Sequence, residues 1–206
     1  MARGKLITIE GIDGAGKSTL ADGLLAALRA RDIDAVVMRE PGGVPTAERI
    51  RALVKDPEAV IDARAEALLY AAARAQLVSE RLRPALAAGT SVVLDRFVDS
   101  SLVYQGVGRW LGIDAVRAIN EFATDGLTPD RTLLLVLAPE VGRARSRGRG
   151  ERLDRLERED DRFFERIAAA YRRLAQSEPK RIREIDADQP SELVLTAALQ
   201  QLSDLF

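Results

Sequence analysis

The sequence predicts an α/β fold, in the form of a three-layer α/β/α sandwich on a five-stranded parallel sheet. Short apolar runs alternate with longer segments in which apolar residues recur at helical spacing, which favours crossover connections and parallel strands. Several runs are almost wholly apolar, as is typical of strands buried on both faces of a sheet. The predicted strands are residues 6–9, 35–38, 91–94, 132–137 and 181–185.

The length and composition indicate one globular domain. The chain has 206 residues, of which 47% are hydrophobic and 31% charged, a balance typical of folded rather than disordered proteins. We therefore predict that residues 1–206 form a single domain. The formal net charge of −1 argues against a general nucleic-acid surface and against an anionic membrane as partner.

The sequence contains no cysteine and no histidine. Disulfides and thiolate chemistry are therefore excluded, as are the commonest general base and the commonest transition-metal ligand. No signal segment is recognisable, and no apolar run approaches the roughly 18 residues of a membrane span. We expect a soluble, cytoplasmic protein without a membrane partner, since a cysteine-free chain is compatible with a reducing compartment.

A glycine-rich loop follows the first predicted strand and leads into a helix. Residues 11–18, GIDGAGKS, fit the pattern G-x-x-x-x-G-K-[ST] at every fixed position. The glycines let backbone N–H groups approach phosphate oxygens, Lys17 supplies a mobile positive charge, and the Ser18 hydroxyl can bind Mg²⁺. The alternative is a glycine-rich turn that binds nothing. The predicted ATP-binding residues are Gly11, Ile12, Asp13, Gly14, Ala15, Gly16, Lys17, Ser18 and Thr19.

Asp13 is the unexpected member of this loop, because a carboxylate is electrostatically unfavourable inside an anion-binding site. It needs a cation or a hydroxyl group as a partner. We therefore expect Asp13 to face the metal or the sugar of a phosphate acceptor. The alternative is a solvated loop aspartate.

Helical spacing predicts the elements between the strands. The helix after the glycine loop carries Leu20, Leu24 and Leu28 on one face, and a second helix covers 46–54 until Asp56-Pro57 breaks it. A long alanine-rich helix is predicted for residues 62–82. Its expected apolar face consists of Ala63, Leu68, Leu69, Ala72, Ala73, Leu77 and Val78.

The second half of the chain has fewer recognisable helices. Pro84 opens a short turn that Gly89 ends, and residues 99–108 are polar and contain glycine. Residues 114–122 form another predicted helix. The last helix extends through Leu202, and we expect Ser191 to cap it.

Charged residues follow the predicted strands at the sheet edge where ligands of open α/β sheets bind. Asp95 ends an apolar strand, the position of an acid that orients Mg²⁺, although short strands also end in aspartates that only cap a turn. Arginine suits bidentate phosphate contact, although any single arginine is more often a surface charge. The arginines near this edge are Arg39, Arg51, Arg74 and Arg96.

A basic segment within residues 142–158 alternates arginine with small residues and lacks an apolar face. Such a segment has nothing to anchor it to the core, which fits a mobile lid that closes over phosphates. A solvated, charge-rich helix is the equal alternative. The arginines at its centre are Arg143, Arg145, Arg147, Arg149 and Arg152.

Taken with these residues, the chain resembles the bacterial thymidylate kinases of the nucleoside-monophosphate kinase family, which are P-loop proteins. The resemblance covers essentially all 206 residues. The glycine loop alone is not specific, but REPGG, DRF and YQG in this order are. The matching stretches are IEGIDGAGKST, REPGG, AERIR, EALLYAAARAQLV, PALAAGTSVVLDRF, SSLVYQG, PEVGRARSRGRGERLDR and IDADQP.

The resemblance implies transfer of phosphate from ATP to dTMP with Mg²⁺, a step of dTTP biosynthesis, by a homodimer. It places Ser18 and Asp95 at the metal. It also implies catalytic roles for Lys17, Arg96 and Asp13, with Asp13 near the acceptor's sugar hydroxyl and phosphate. The implied substrate-binding residues are Arg39, Pro41, Arg51, Tyr70, Arg74, Arg96, Ser101, Tyr104 and Gln105.

Individual roles follow from the matching positions. Arg96 and Arg51 would hold the acceptor phosphate, and Tyr70 would stack on thymine. Arg74 would donate to thymine O4, Tyr104 would crowd C2′ and favour deoxyribose, and Ser101 and Gln105 match positions near the base edge.

The chain departs from the usual pattern in two positions, with Tyr70 where phenylalanine is usual and Phe97 where tyrosine or histidine is usual. Ala15 occupies a loop position that is arginine in some members, and members without that arginine carry the catalytic arginine in the lid. The candidates here are Arg149, then Arg147 and Arg152.

Two other functions stay open at this point. One is a monophosphate kinase for a different base, although Arg74 suits a carbonyl acceptor better than an amino group. The other is a nucleotide-binding switch or ATPase that transfers phosphate to water or to nothing.

Overall fold

The computed structural model describes residues 3–148 and 154–206. Five parallel strands form one sheet in the order β2-β3-β1-β4-β5, which confirms the predicted fold class. The strands are β1 (Leu6–Gly11), β2 (Ala35–Arg39), β3 (Ser91–Asp95), β4 (Arg131–Val136) and β5 (Ile182–Asp186).

Helices cover both faces of this sheet. Alternate residues of β1 and β3 enter different core clusters: Ile7 and Val93 join one, and Leu6 joins the other. The described helices are α1 (Lys17–Arg29), α2 (Pro45–Lys55), α3 (Ala63–Leu77), α4 (Arg83–Ala87), α5 (Val98–Ser101), α6 (Ile113–Thr124), α7 (Pro139–Arg147), α8 (Asp161–Ser177) and α9 (Ser191–Gln201). None of the helices in the described ranges is long and apolar enough to cross a membrane.

The predicted apolar face of the alanine-rich helix is partly wrong, since Ala73, Leu77 and Val78 are buried as predicted but other members are not. Helix α3 ends at Leu77 and continues as a π-helical turn, Val78–Leu82. Leu68 and Ala72 are exposed, whereas Glu66 and Arg74 point inward and are buried. Apolar spacing misplaced this face because the helix turns polar residues toward the centre of the molecule, where they have partners.

Two further parts of the second half differ from expectation. Residues 99–108 are polar in sequence, yet α5 and the π-helical turn Leu102–Gly108 are largely buried. Ser191 does not cap α9, since Pro190 precedes the helix and the Ser191 hydroxyl bonds Glu192 instead.

Helix α8 was not predicted. Its apolar residues Phe163, Phe164, Ile167 and Leu174 recur at helical spacing and are buried. The helical signal was therefore present, but it begins at the edge of the arginine-rich stretch, where charged residues outnumber apolar ones.

Candidate active site

A cavity of about 560 Å³ lies at the carboxyl ends of β1, β2 and β3. This is the edge where open α/β sheets bind ligands, as predicted. Most of the predicted site residues line it. They are Asp13, Gly14, Gly16, Lys17, Ser18, Thr19, Arg39, Pro41, Arg51, Tyr70, Arg74, Asp95, Arg96, Ser101, Tyr104 and Gln105.

The glycine loop brings its lysine back over its own backbone. Lys17 Nζ donates to the carbonyl oxygens of Gly11 and Ile12, at 3.2 and 2.9 Å. Burial lowers the pKa of Lys17 to about 8, and the Arg96 charge acts in the same direction. An anion that enters the loop would offset both effects, so the site is built to receive negative charge.

Helix α7 packs directly against the glycine loop. A Cβ atom on Gly14, whose φ is +79°, would lie 2.1 Å from the carbonyl oxygen of Gly142. A Cβ atom on Gly142 would in turn lie 2.7 Å from the Asp13 carbonyl oxygen. Both positions therefore require glycine, and Gly142 is a residue that sequence reasoning missed.

The predicted metal ligands lie together. Ser18 Oγ donates to Asp95 Oδ2 at 3.1 Å, and Asp95 Oδ1 is buried without a partner among the described residues. Within 3–148 and 154–206 there is no cluster of three or more metal-binding side chains of the His, Cys, Asp or Glu type. One carboxylate and one hydroxyl fit Mg²⁺, which usually completes its shell with water and substrate phosphates.

Arg96 has a left-handed backbone, with φ of +68°, directly after β3. Such a conformation is unfavourable for a side chain and is often retained at functional sites. The guanidinium contacts Asp13 Oδ1 at 2.7 Å and Ser100 Oγ at 3.1 Å, and it lies over the Tyr104 ring. Burial alone would raise the pKa of Asp13, but Arg96 and Lys17 outweigh it and hold that pKa at about 2. Arg96 is therefore the cationic partner that Asp13 was expected to need.

Glu10 fixes the turn that carries Arg96 and was not predicted. Glu10 Oε1 accepts from the backbone N–H of Phe97 at 2.8 Å, and Oε2 accepts from Ser100 Oγ at 2.6 Å and Tyr171 Oη at 2.8 Å. Burial raises the pKa of Glu10, and Asp99 adds to this effect. The only sequence signal was a glutamate at the end of a mostly apolar run.

Arg74 is fully buried in the cavity wall, and protein groups surround its guanidinium. It donates to Glu40 Oε2 at 2.7 Å, Ser101 Oγ at 2.9 Å and the Phe97 carbonyl oxygen at 3.0 Å, and it also bonds Asn120. These contacts hold the guanidinium rigidly at the cavity. Glu40 and Asn120 are partners that spacing could not reveal.

Glu40 gives this pair a pH-dependent stability. Burial raises the pKa of Glu40 from 4.5 to about 7 against the opposing charge of Arg74. Between these values the folded state binds the proton and the unfolded chain does not, so rising pH lowers the free energy of unfolding, by at most about 3 kcal/mol. We expect Glu40→Gln to lose this decrease in urea unfolding measured from pH 4.5 to pH 8.

The matched control for this prediction is Glu48→Gln. The Gly43 N–H and Arg39 lower the pKa of Glu48, so its difference from the wild type must have the opposite sign and lie at more acidic pH. A constant difference between wild type and Glu40→Gln across the whole range would contradict the assignment.

The acceptor side of the cavity carries the remaining predicted residues. Arg51 donates to the Pro41 carbonyl oxygen at 2.8 Å, and Tyr70 is half-buried. Arg39 is more than half exposed and pairs with Glu48 at 3.1 Å. Of these side chains, Arg39 is the least constrained.

The described part of the basic segment, residues 142–148 and 154–158, has contacts with the rest of the fold, and a mobile lid stays a prediction. Arg143 lies over the Phe164 ring, Arg145 donates to the Ala187 carbonyl oxygen at 3.1 Å, and Gly142 packs against the glycine loop. Arg145 lines the cavity, whereas Arg147 is exposed and does not line it. The predicted Arg149 and Arg152 lie outside the described residues.

The predicted residues of the glycine loop lie in two places. Gly11, Ile12 and Ala15 do not line the main cavity among the described residues. Gly11 and Ile12 instead supply the carbonyl oxygens that Lys17 contacts. Ala15 lines a neighbouring cavity of about 330 Å³ together with Gly16 and Thr19.

A phosphate loop that opens into a cavity with fixed arginines on its far wall defines this chain as a P-loop kinase. The comparisons with known proteins agree and are more specific. A family model described as thymidylate kinase matches residues 9–198, and the chain belongs to the thymidylate kinase family.

Similar curated proteins carry the same name. The thymidylate kinase of Latilactobacillus sakei is 50% identical over 203 residues, which are 97% of this chain and 95% of the relative. That of Alkalilimnicola ehrlichii is 48% identical over 98% of this chain and 94% of its own length. That of Oenococcus oeni is 49% identical over 99% of this chain and 97% of its own length.

Proposed function

We propose that this protein transfers the γ-phosphoryl group of ATP to dTMP, with ADP and dTDP as products. The observation that carries this proposal is a single cavity in which Lys17 and Ser18 face Arg96, Tyr70 and Arg74. A cavity of that composition accommodates the facing phosphate groups of two nucleotides. The names of the similar proteins supply the identity of the acceptor.

The chemistry needs positive charge rather than a base. The second pKa of a phosphate monoester is about 6, so the acceptor oxygen is mostly anionic at neutral pH. That oxygen forms the new bond to the γ-phosphorus while the bond to the β,γ-bridging oxygen breaks, and ADP leaves with the electron pair. Lys17 and Arg96 would balance the charge of the two anions and of the transition state.

Ser18 and Asp95 would hold Mg²⁺, since the buried Asp95 Oδ1 has no partner among the described residues and the Ser18 hydroxyl is adjacent. When bound there, the ion would offset the negative charge of the ATP phosphates. The ion pair with Asp13 would position the Arg96 guanidinium so that an acceptor phosphate can also bind to it.

The acceptor nucleoside would occupy the other half of the cavity. Tyr70 would stack on the base, Arg74 and Ser101 would contact its edge with Gln105, and Tyr104 would lie against the sugar. Arg51, with Arg39 and Pro41 beside it, would contribute to the acceptor phosphate site.

The donor nucleoside would enter the neighbouring cavity of about 330 Å³, which Gly16, Thr19, Arg145 and Gln189 help to line. Arg145 lines both cavities and therefore lies where the two nucleotides would meet. We add Arg145 to Arg149, Arg147 and Arg152 as a candidate for the arginine that reaches the transferred group.

A coupled assay with ATP, Mg²⁺ and one monophosphate at a time tests the proposal. We expect dTMP to be the best acceptor, with dCMP, dAMP and dGMP far weaker. A preference for another base would identify a different monophosphate kinase. Loss of ATP without a phosphorylated nucleotide product would identify an ATPase or a switch.

A homodimer is part of the proposal. The neighbouring helices α3 and α6 each expose a large apolar side chain, Leu68 at 55% and Phe122 at 92%. Burial of such side chains favours association. We expect sedimentation velocity to show a dimer for the wild type and a monomer for Phe122→Asp, while a monomeric wild type at all concentrations would contradict this. A cytoplasmic location stays a prediction.

A further inference from the structure

A buried carboxylate behind the cavity is not used by the proposed reaction. Glu66 on α3 is 0% exposed and does not line the cavity that the described residues form. It accepts from Gln105 Nε2 at 2.8 Å, from Arg109 Nε at 3.2 Å and from an Arg155 guanidinium nitrogen at 2.5 Å. Gln105 itself is buried and lines the cavity.

The Glu66 carboxylate determines which end of the Gln105 amide faces the cavity. An ionised carboxylate accepts hydrogen bonds and donates none, so the amide nitrogen must point toward Glu66. The Gln105 carbonyl oxygen therefore points away from Glu66, and no donor among residues 3–148 and 154–206 bonds it. A ligand in the cavity that reaches this oxygen would meet a hydrogen-bond acceptor.

Two arginines pair with the Glu66 carboxylate and hold it in place. Arg109 and Arg155 are permanently charged, and both form ion pairs with Glu66. Arg155 also donates from Nε to the Val54 carbonyl oxygen at the end of α2, at 3.2 Å, which fixes its position. A buried charge is tolerated when it is paired and hydrogen-bonded in this way.

We infer that Glu66 is a positioning residue that selects acceptor bases with an N–H group at ring position 3. Thymine carries this donor between its two carbonyl groups, and the Gln105 oxygen would accept from it. A base without that hydrogen would leave the Gln105 oxygen unpaired. Sites built to bond a substrate N–H discriminate strongly against analogues that lack it. The inference rests on the proposed function, because it assumes that the acceptor base occupies this half of the cavity.

The test compares dTMP with its 3-deaza analogue, a 4-hydroxy-2-pyridone in which C–H replaces the ring N–H and the oxygen atoms on C2 and C4 are kept. The measured quantity is the ratio of kcat/KM for the two acceptors. We expect a ratio of about tenfold to a hundredfold for the wild type, and about threefold or less for Glu66→Gln. A neutral amide at this position can donate to the Gln105 oxygen and so let the Gln105 amide turn over.

Three further variants separate positioning from a structural role. Gln105→Leu should abolish the discrimination, and adding Glu66→Gln to it should leave the ratio unchanged. Arg155→Met should keep the ratio, because the Glu66 carboxylate and Arg109 remain. Thermal unfolding shows whether Glu66→Gln folds. If it does not, the double variant Glu66→Gln with Arg155→Met removes both charges of one ion pair, and its kcat/KM ratio for the two acceptors should fall to about threefold or less.

Two results would overturn the inference. One is a folded Glu66→Gln enzyme that is slower with both acceptors by the same factor, since this is the effect of general damage. The other is a wild type that uses dTMP and the 3-deaza analogue equally well; the proposed function would survive that result. A wild type that does not phosphorylate dTMP would instead remove the proposed function and the inference with it.

Discussion

Lys17→Met is expected to lower kcat by at least about a hundredfold, the scale of losing one preorganised charged donor. The Lys17 ammonium is buried between the glycine loop and Arg96, and its hydrogen bonds to the Gly11 and Ile12 carbonyl oxygens hold it where the β- and γ-phosphates would lie. Methionine keeps much of the side-chain volume and removes the charge. Steady-state kinetics with saturating dTMP and varied ATP measure the effect.

The matched control is Lys5→Met. Lys5 immediately precedes β1, at the opposite end of the strand from the glycine loop, and its ammonium is 3.9 Å from Asp130. Its removal should leave kcat within about twofold, since a partly exposed ion pair contributes little. A folded Lys17→Met enzyme with nearly normal kcat would contradict the role of Lys17 in phosphoryl transfer.

Arg96→Ala is expected to cause a loss of similar size, at least about a hundredfold in kcat. Removal of the guanidinium leaves Asp13 without its 2.7 Å partner, and it places an uncompensated carboxylate beside the acceptor phosphate. The KM for dTMP should also rise, because the side chain would contact this substrate directly. Arg96→Lys should be intermediate, since lysine keeps the charge but lacks the planar pair of donors.

Arg83→Ala serves as the control for this prediction. Arg83 is partly exposed and pairs with Asp125, away from the residues that line the cavity. Thermal unfolding of both variants shows whether each protein is folded. A folded Arg96→Ala enzyme with a nearly normal kcat and KM for dTMP would rule out its proposed contact with the acceptor phosphate.

The fold and the loop were predictable because their signals are local. The spacing of residues 11–18 follows from the geometry of one turn between a strand and a helix, and Asp95 follows a run of apolar residues. The alternation of strands with helices implies parallel pairing, and the sheet confirms it. Each of these predictions depends on neighbours within a few residues.

The prediction of the buried face of α3 was partly wrong, because long-range contacts decide which polar residues are buried. Apolar spacing assigned Leu68 to the buried side of α3, but that side carries Glu66 and Arg74, which are buried because distant residues satisfy them. Spacing likewise did not show that Gly142 and Arg145, in the described part of the basic segment, contact the glycine loop and the residues after β5. Buried polar groups require partners, and spacing along the chain does not identify those partners.

The sequence by itself determined the fold class, the phosphate loop and the sheet edge at which the site lies, because periodicity and glycine placement encode backbone geometry. Only the tertiary structure decided which side chains meet: Glu10 with Tyr171, Arg74 with Asn120, and Glu66 with Gln105 and Arg155. These pairs join residues from 39 to 161 positions apart. Their contacts depend on how helices cross the sheet, which packing of the whole domain determines.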